Sequence, residues 1–326
     1  MPLPSERELC FLSFQLGSSR TSKTFQFHAT PIGFSTNFPR LQIGNGQANP
    51  GGGINNSGTL TLTNSTVSTN WAPIPCLRFF VFCEIRGGTA SGGGIYNSGA
   101  LIISNSILSG NQAGGYCTLT CSALGGGIYN QGTLMMINNS TLTGNIAGTA
   151  CSTSISCRVG VGGAFYVFGG TVTLNNSTVS GNSADRCSGG CNGSGGAIVN
   201  GSGNLAMNNS TVTGNPAGGI FNGGTATLQN SIVANNSGSN CGGTIISHGY
   251  NLSSDSSCAF SNSGDRDNTN PVLGTLGYTS DNNRLDQPKS IWLSSSIISD
   301  NNRLDKPKSY NGYIAFIIPN NDNSVF

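Results

Sequence analysis

The stretch "GGGIYNSGALIISNSILSGN" (92–111) carries no charge, and close variants of it begin at Gly51, Gly125, Gly162, Gly195 and Gly218. Repetition constrains the fold more than any other feature here. A unit this short cannot bury an apolar face alone, so it must stack on its own likeness. Aligned, the copies give four apolar columns. One reads Ile54, Ile95, Ile128, Phe165, Ile198, Ile220. Two more, one residue apart, read Leu60, Leu101, Met135, Val172, Leu205, Ala226 and Leu62, Ile103, Ile137, Leu174, Met207, Leu228. The fourth reads Val67, Leu108, Leu142, Val179, Val212, Val233. Alternation of apolar residues with Thr, Ser or Asn predicts half-buried strands, and the glycines between them predict tight corners. Glycine-rich, β-branched units exclude helix.

Two polar columns also hold in every copy. The first is Asn64, Asn105, Asn139, Asn176, Asn209 and Asn230, and the second is Asn70, Asn111, Asn145, Asn182, Asn215 and Asn236. If each copy is one turn of a solenoid, these side chains lie ~4.8 Å apart, the spacing at which amides hydrogen-bond to the turns above and below. Both columns are therefore expected to be inward-facing ladders. Glycosylation sequons such as Asn64-Ser65-Thr66 and Asn176-Ser177-Thr178 coincide with the first column, so their Asn is expected to be spent inside the stack.

Only 8% of the chain is Asp, Glu, Lys or Arg, and from Gly87 to Ser254 the charged residues are Arg158, Asp185 and Arg186. A net charge of +2 without a basic cluster argues against a nucleic-acid partner. The cysteines fall in pairs inside the insertions between repeats: Cys76 and Cys83, Cys117 and Cys121, Cys151 and Cys157, Cys187 and Cys191, then Cys241 and Cys258, with Cys10 alone. The competing reading is zinc, but the only histidines, His28 and His248, lie outside every insertion. Five disulfides pinning the insertions are expected, with no metal and no cofactor, and disulfides imply an oxidising compartment.

The GGGIYN…STVSGN pattern resembles the right-handed parallel β-helix repeat proteins, in particular bacterial surface and secreted proteins related to the polymorphic outer-membrane proteins. The resemblance covers about 51–271, with "GYNLSSDSSCAF" (249–260) as the usual last turn. It implies an all-β fold: a right-handed single-stranded parallel β-helix of about six to eight turns. The expected organisation is an N-terminal segment or cap over 1–45, the β-helix over 46–265, and a loosely ordered tail over 266–326 in which SDNNRLDxPKS is duplicated. The stretch 71–88 is foreign to the repeat, and Phe79 to Phe82 could plug one side of the helix. No run is long and apolar enough for a membrane-spanning helix. The N-terminus shows no clear signal peptide, so either the true start lies upstream or export follows another route.

Catalysis on polyuronates or glycans needs gathered carboxylates. The repeats offer Asp185 beside Arg186, read as a solvated loop pair, and Asp265, Arg266 and Asp267 follow in a turn. His248 has no implied acidic partner for a triad. The expected function is a non-enzymatic extracellular or cell-surface module, adhesive or structural, binding carbohydrate or a host or cell-surface protein, with end-to-end self-association through an open final turn. A polysaccharide lyase or hydrolase, or a fragment of a larger surface protein, are the alternatives.

Overall fold

The computed structural model describes residues 25–27, 35–79, 82–118, 121–151, 157–184 and 196–273; of these, 25–27, 35–39, 76–79, 82–86, 149–151 and 157–159 are described by their backbone alone. Three eight-stranded parallel sheets run the length of the molecule, each turn giving one strand to each sheet. The first sheet comprises Phe25–Phe27, Ile54–Asn56, Ile95–Asn97, Ile128–Asn130, Phe165–Val167, Ile198–Asn200, Ile220–Asn222 and Cys241–Gly242. In the second, Ser35–Pro39, Thr59–Thr63, Ala100–Ser104, Leu134–Asn138, Thr171–Asn175, Asn204–Asn208, Thr225–Gln229 and Ile246–Ser247 stack in that order. The third runs from Gln42–Gly44 through Thr66–Ser68, Ile107–Ser109, Thr141–Thr143, Thr178–Ser180, Thr211–Thr213 and Ile232–Ala234 to Leu252–Ser253. The result is a parallel β-helix of eight turns. Its first turn is made by Phe25–Phe27, Ser35–Pro39 and Gln42–Gly44, within the span 1–45 that the sequence assigns to an N-terminal segment or cap.

Register follows the apolar columns. Leu101 pairs with Leu60 and Met135, and Val172 with Met135 and Leu205, so like sits over like along the axis. All four columns form one continuous core, each member no more than 2% exposed. At roughly 1.5–3 kcal/mol for each large apolar side chain buried, this core is the main favourable term. The Gly-Gly-Gly corners have distinct requirements. The first glycine takes a left-handed backbone, as at Gly92 with φ 67°. A Cβ on the second would strike the next turn, since at Gly93 it would lie 2.2 Å from the Gly126 carbonyl oxygen. The third position is looser, and two later turns carry Ala164 and Ala197 there, both fully buried.

The insertions between the third and first sheets build a side arm. Trp71–Ala72, Gln112–Cys117 and Ile146–Cys151 form one small parallel sheet, and Gly88–Ser91, Cys121–Leu124 and Cys157–Val161 form another. Between them lies a second core of Ile74, Ala90, Ala113, Cys117, Cys121, Ala123 and Ala147. Small side chains let the two sheets approach closely. The foreign stretch supplies an antiparallel pair, Cys76–Phe79 with Phe82–Arg86; the plug expected from Phe79 to Phe82 concerns side chains outside the described residues.

The last turn is closed. Residues 254–269 fold back over it, Tyr250 and Ser253 N–H donating to the carbonyls of Ser263 and Arg266, and Thr269 N–H to Ser253. Phe260 and Cys258 complete the core at this end. The open strand edge expected for end-to-end association is occupied by this loop.

Candidate functional site

Of the two expected ladders, one is present. In the second column each Asn Nδ2 donates to the Oδ1 of the next turn, from Asn70 through Asn111, Asn145, Asn182 and Asn215 to Asn236, at 2.7–3.2 Å. Asn240 ends the chain at 3.0 Å. Each Oδ1 also takes the backbone N–H of the Asn before it, and the second amide proton reaches a carbonyl of the turn below, as from Asn145 to Leu108 at 3.0 Å. The amide's bonding capacity is nearly filled, which is what burial demands.

Asn64, Asn105, Asn139, Asn176, Asn209 and Asn230 do not form a ladder. They are the left-handed corner between the second and third sheets, with φ 47–51°, and their side chains are half-exposed or exposed. Asn is selected there for its tolerance of that backbone. The adjacent serines carry the polar stack. The N–H groups of Ser65, Ser106, Ser140, Ser177 and Ser210 donate to the hydroxyl one turn on, and Ser231 N–H ends the row on Asn251. The sequon asparagines Asn176 and Asn209 are accordingly exposed and Asn64 half-exposed, while Asn139 has its Oδ1 buried without a partner. A further ladder, Asn56 to Asn97 to Asn130 and then Asn200 to Asn222, is broken by Val167. The Asn two residues after the Ile column in five of the six copies signalled it.

Cys117–Cys121 and Cys241–Cys258 are disulfides, with Cα atoms 6.1 and 4.8 Å apart. Strand register sets Cys151 beside Cys117 and Cys157 beside Cys121. The side chains of Cys76, Cys83, Cys151 and Cys157, and all of Cys10, Cys187, Cys191, Asp185, Arg186 and the duplicated tail segments, lie outside the described residues.

The outer faces hold what the sequence reading missed. In the first sheet the residue after each Ile column points outward, and Tyr96, Tyr129 and Tyr166 occupy that position on successive turns. Their ring centroids lie 5.2 and 5.6 Å apart, the first pair parallel to within 1°. Gln131 Nε2 donates to the Tyr96 hydroxyl, and Gly201 leaves room for that of Tyr166, where a Cβ would come within 2.9 Å. The phenols therefore reach toward the corner that joins the first and second sheets. Phe168 stands on that corner, 56% exposed. Burial pushes all three phenols up, Tyr129 to about 12 with help from its two neighbours' charges, so they are neutral hydrogen-bond donors at ordinary pH.

Carboxylates gather at the closed end. Asp265 accepts from Ser247, Asn251 and Asn262, at 2.6–2.8 Å, and Asp255 from Asn240 and Ser257. Burial would raise Asp255, but these bonds bring it below the ordinary carboxylate value. Asp267 is raised by burial and then by Asp255 and Asp265, against one bond from Phe260 N–H. Its other oxygen is buried without a partner. No cluster of His, Cys, Asp and Glu fit for a metal ion occurs among the described residues.

Comparison with protein-family models, curated proteins and solved structures finds no match to this chain. The site must be read from its own geometry: a rigid shaft with one aromatic, hydroxyl-bearing corner, and carboxylates used mainly as hydrogen-bond acceptors in a cap.

Proposed function

We propose that the chain is a non-enzymatic extracellular or cell-surface β-helix module, adhesive or structural, whose partner is a carbohydrate or a host or cell-surface protein. The observation that carries this reading is where the polar chemistry goes. Interior amides and hydroxyls are consumed in ladders, and Asp255 and Asp265 are consumed in capping the last turn. What remains for a partner is a stiff, nearly uncharged outer surface. The two disulfides support an oxidising compartment.

A polysaccharide-active enzyme is the second reading, favoured by one group. Asp267 has a raised carboxyl and an unpartnered oxygen, as a general acid would. Assaying the folded protein against pectin, alginate and neutral glucans, alongside a glycan and matrix-protein binding array, separates the two. Binding without turnover supports the module; turnover abolished by Asp267→Asn overturns it.

A further inference from the structure

The tyrosine corner has a chemical character that narrows its ligand. Its three rings stack on successive turns with centroids 5.2 and 5.6 Å apart, so the stripe runs along the axis of the helix. Beside them stand the Gln131 amide and the exposed ring of Phe168, so hydroxyl, planar amide and apolar face lie together. A sugar ring presents the same mixture, hydroxyls at its rim and C–H groups on its face. From Gly87 to Ala184 the sequence contains one charged residue, Arg158, whose side chain lies outside the described residues, so no described side chain of this stretch would pair with a charged ligand. Of the other large exposed apolar residues, Phe221 continues the tyrosine column beyond Val199, whereas Tyr116, Ile246 and Val272 lie on other elements.

We propose that Tyr96, Tyr129, Tyr166, Gln131 and Phe168 form a binding site for an uncharged glycan chain lying along the β-helix axis. The proposal rests on the binding-module reading and names its ligand. The tyrosine stack is held by the strands beneath it and by Gln131, so little ordering is required on binding. The half-exposed phenols of Tyr96 and Tyr166 donate to ring and hydroxyl oxygens, the buried Tyr129 ring holds the stack between them, and Phe168 packs against a sugar face.

Affinity electrophoresis and calorimetry with cello-, xylo-, manno- and chito-oligosaccharides, set against polygalacturonate and alginate fragments, provide the test. Retention by a neutral chain is expected, growing with oligomer length and insensitive to salt. Phe168→Ala and Gln131→Ala are each expected to weaken it by about fivefold or more, since one aromatic or amide contact is lost. Ile246→Ala, which removes a side chain 45% exposed on the second sheet, leaves retention unchanged. Phe168 and Gln131 are solvent-facing, and unchanged melting of both variants confirms that the fold is intact. Neutral-glycan binding indifferent to Phe168→Ala and Gln131→Ala overturns the site while leaving the module standing. Binding of anionic glycans alone, or of a matrix protein alone, also overturns the site. Turnover of a bound glycan overturns the module itself.

Discussion

Each turn of the helix has two corners that the sequence marks with the same residue, and they do opposite things. At the corner between the third and first sheets, Asn145 and its stacked equivalents are fully enclosed and bonded to the turns on both sides. At the corner between the second and third sheets, Asn176 and its equivalents have a left-handed backbone and side chains partly or fully exposed, and the one oxygen buried there, Asn139 Oδ1, has no partner in the stack. A repeat can therefore preserve asparagine for its side chain at one position and for its backbone at another.

The largest expected effect separates the two. Asn145→Leu removes the acceptor of the Asn111 N–H, the acceptor of one Asn111 amide proton and the amide donor to the Leu108 carbonyl, while the other Asn111 amide proton keeps the Val67 carbonyl. At roughly 1–3 kcal/mol for each orphaned group, the loss should reach at least about 3 kcal/mol in a denaturant melt. Asn176→Gly, by contrast, should change stability by less than about 0.5 kcal/mol, because glycine accepts the left-handed backbone freely. Similar losses in the two variants would dissolve the distinction.

A smaller effect should come from the gap at Val167, the one apolar residue between Asn130 and Asn200 on successive turns. Val167→Asn would exchange a buried side chain worth about 1.5–3 kcal/mol for two hydrogen bonds at about 0.5–1.5 kcal/mol each. The net change should lie within about 1 kcal/mol, and a loss comparable to that of Asn145→Leu would mean that ladder continuity does not compensate for burial.

A pH-dependent effect concerns the outward tyrosines. Tyr129 is held protonated to about 12, above the ordinary 10.0, so its contribution is complete below pH 10 and is lost as pH rises through 12. Urea melts across that window should show stability falling, with Tyr129→Phe flattening the fall; an unchanged slope would contradict a desolvated stack. Phenolate absorbance locates the same titration.

Repeats made the solenoid and all four core columns legible, because stacking turns translate sequence columns directly into space. What the columns could not distinguish was why a residue recurs. Asn64 and Asn70 are equally regular in sequence, yet only backbone geometry separates a left-handed corner from an inward amide. Ser65, next to that corner, carries the ladder the asparagine was expected to form. The tyrosine stripe was visible as the residue after each Ile, but alternation says only that it faces outward, not that three rings meet. The closed final turn depends on Asp255, Asp265 and Asp267 folding back together, a contact with no repeat to announce it.

An isosteric change probes the two corners most directly. Asn145→Asp and Asn176→Asp keep the side-chain shape and remove the amide donors, and both variants are melted at neutral and at acidic pH. In the dry column the carboxylate keeps the two Asn111 donors at one oxygen but sets its other oxygen, away from water, against the Leu108 carbonyl and Asn182 Oδ1, which raises its pKa, so Asn145→Asp should be strongly destabilised at pH 7 and recover part of the loss as acid protonates it. Asn176→Asp, solvated at its corner, should melt close to the parent at pH 7 and show no such recovery. Equal melting temperatures for the two variants at pH 7, with no acid recovery in Asn145→Asp, would contradict the claim that one asparagine column holds the turns together while the other only bends the chain.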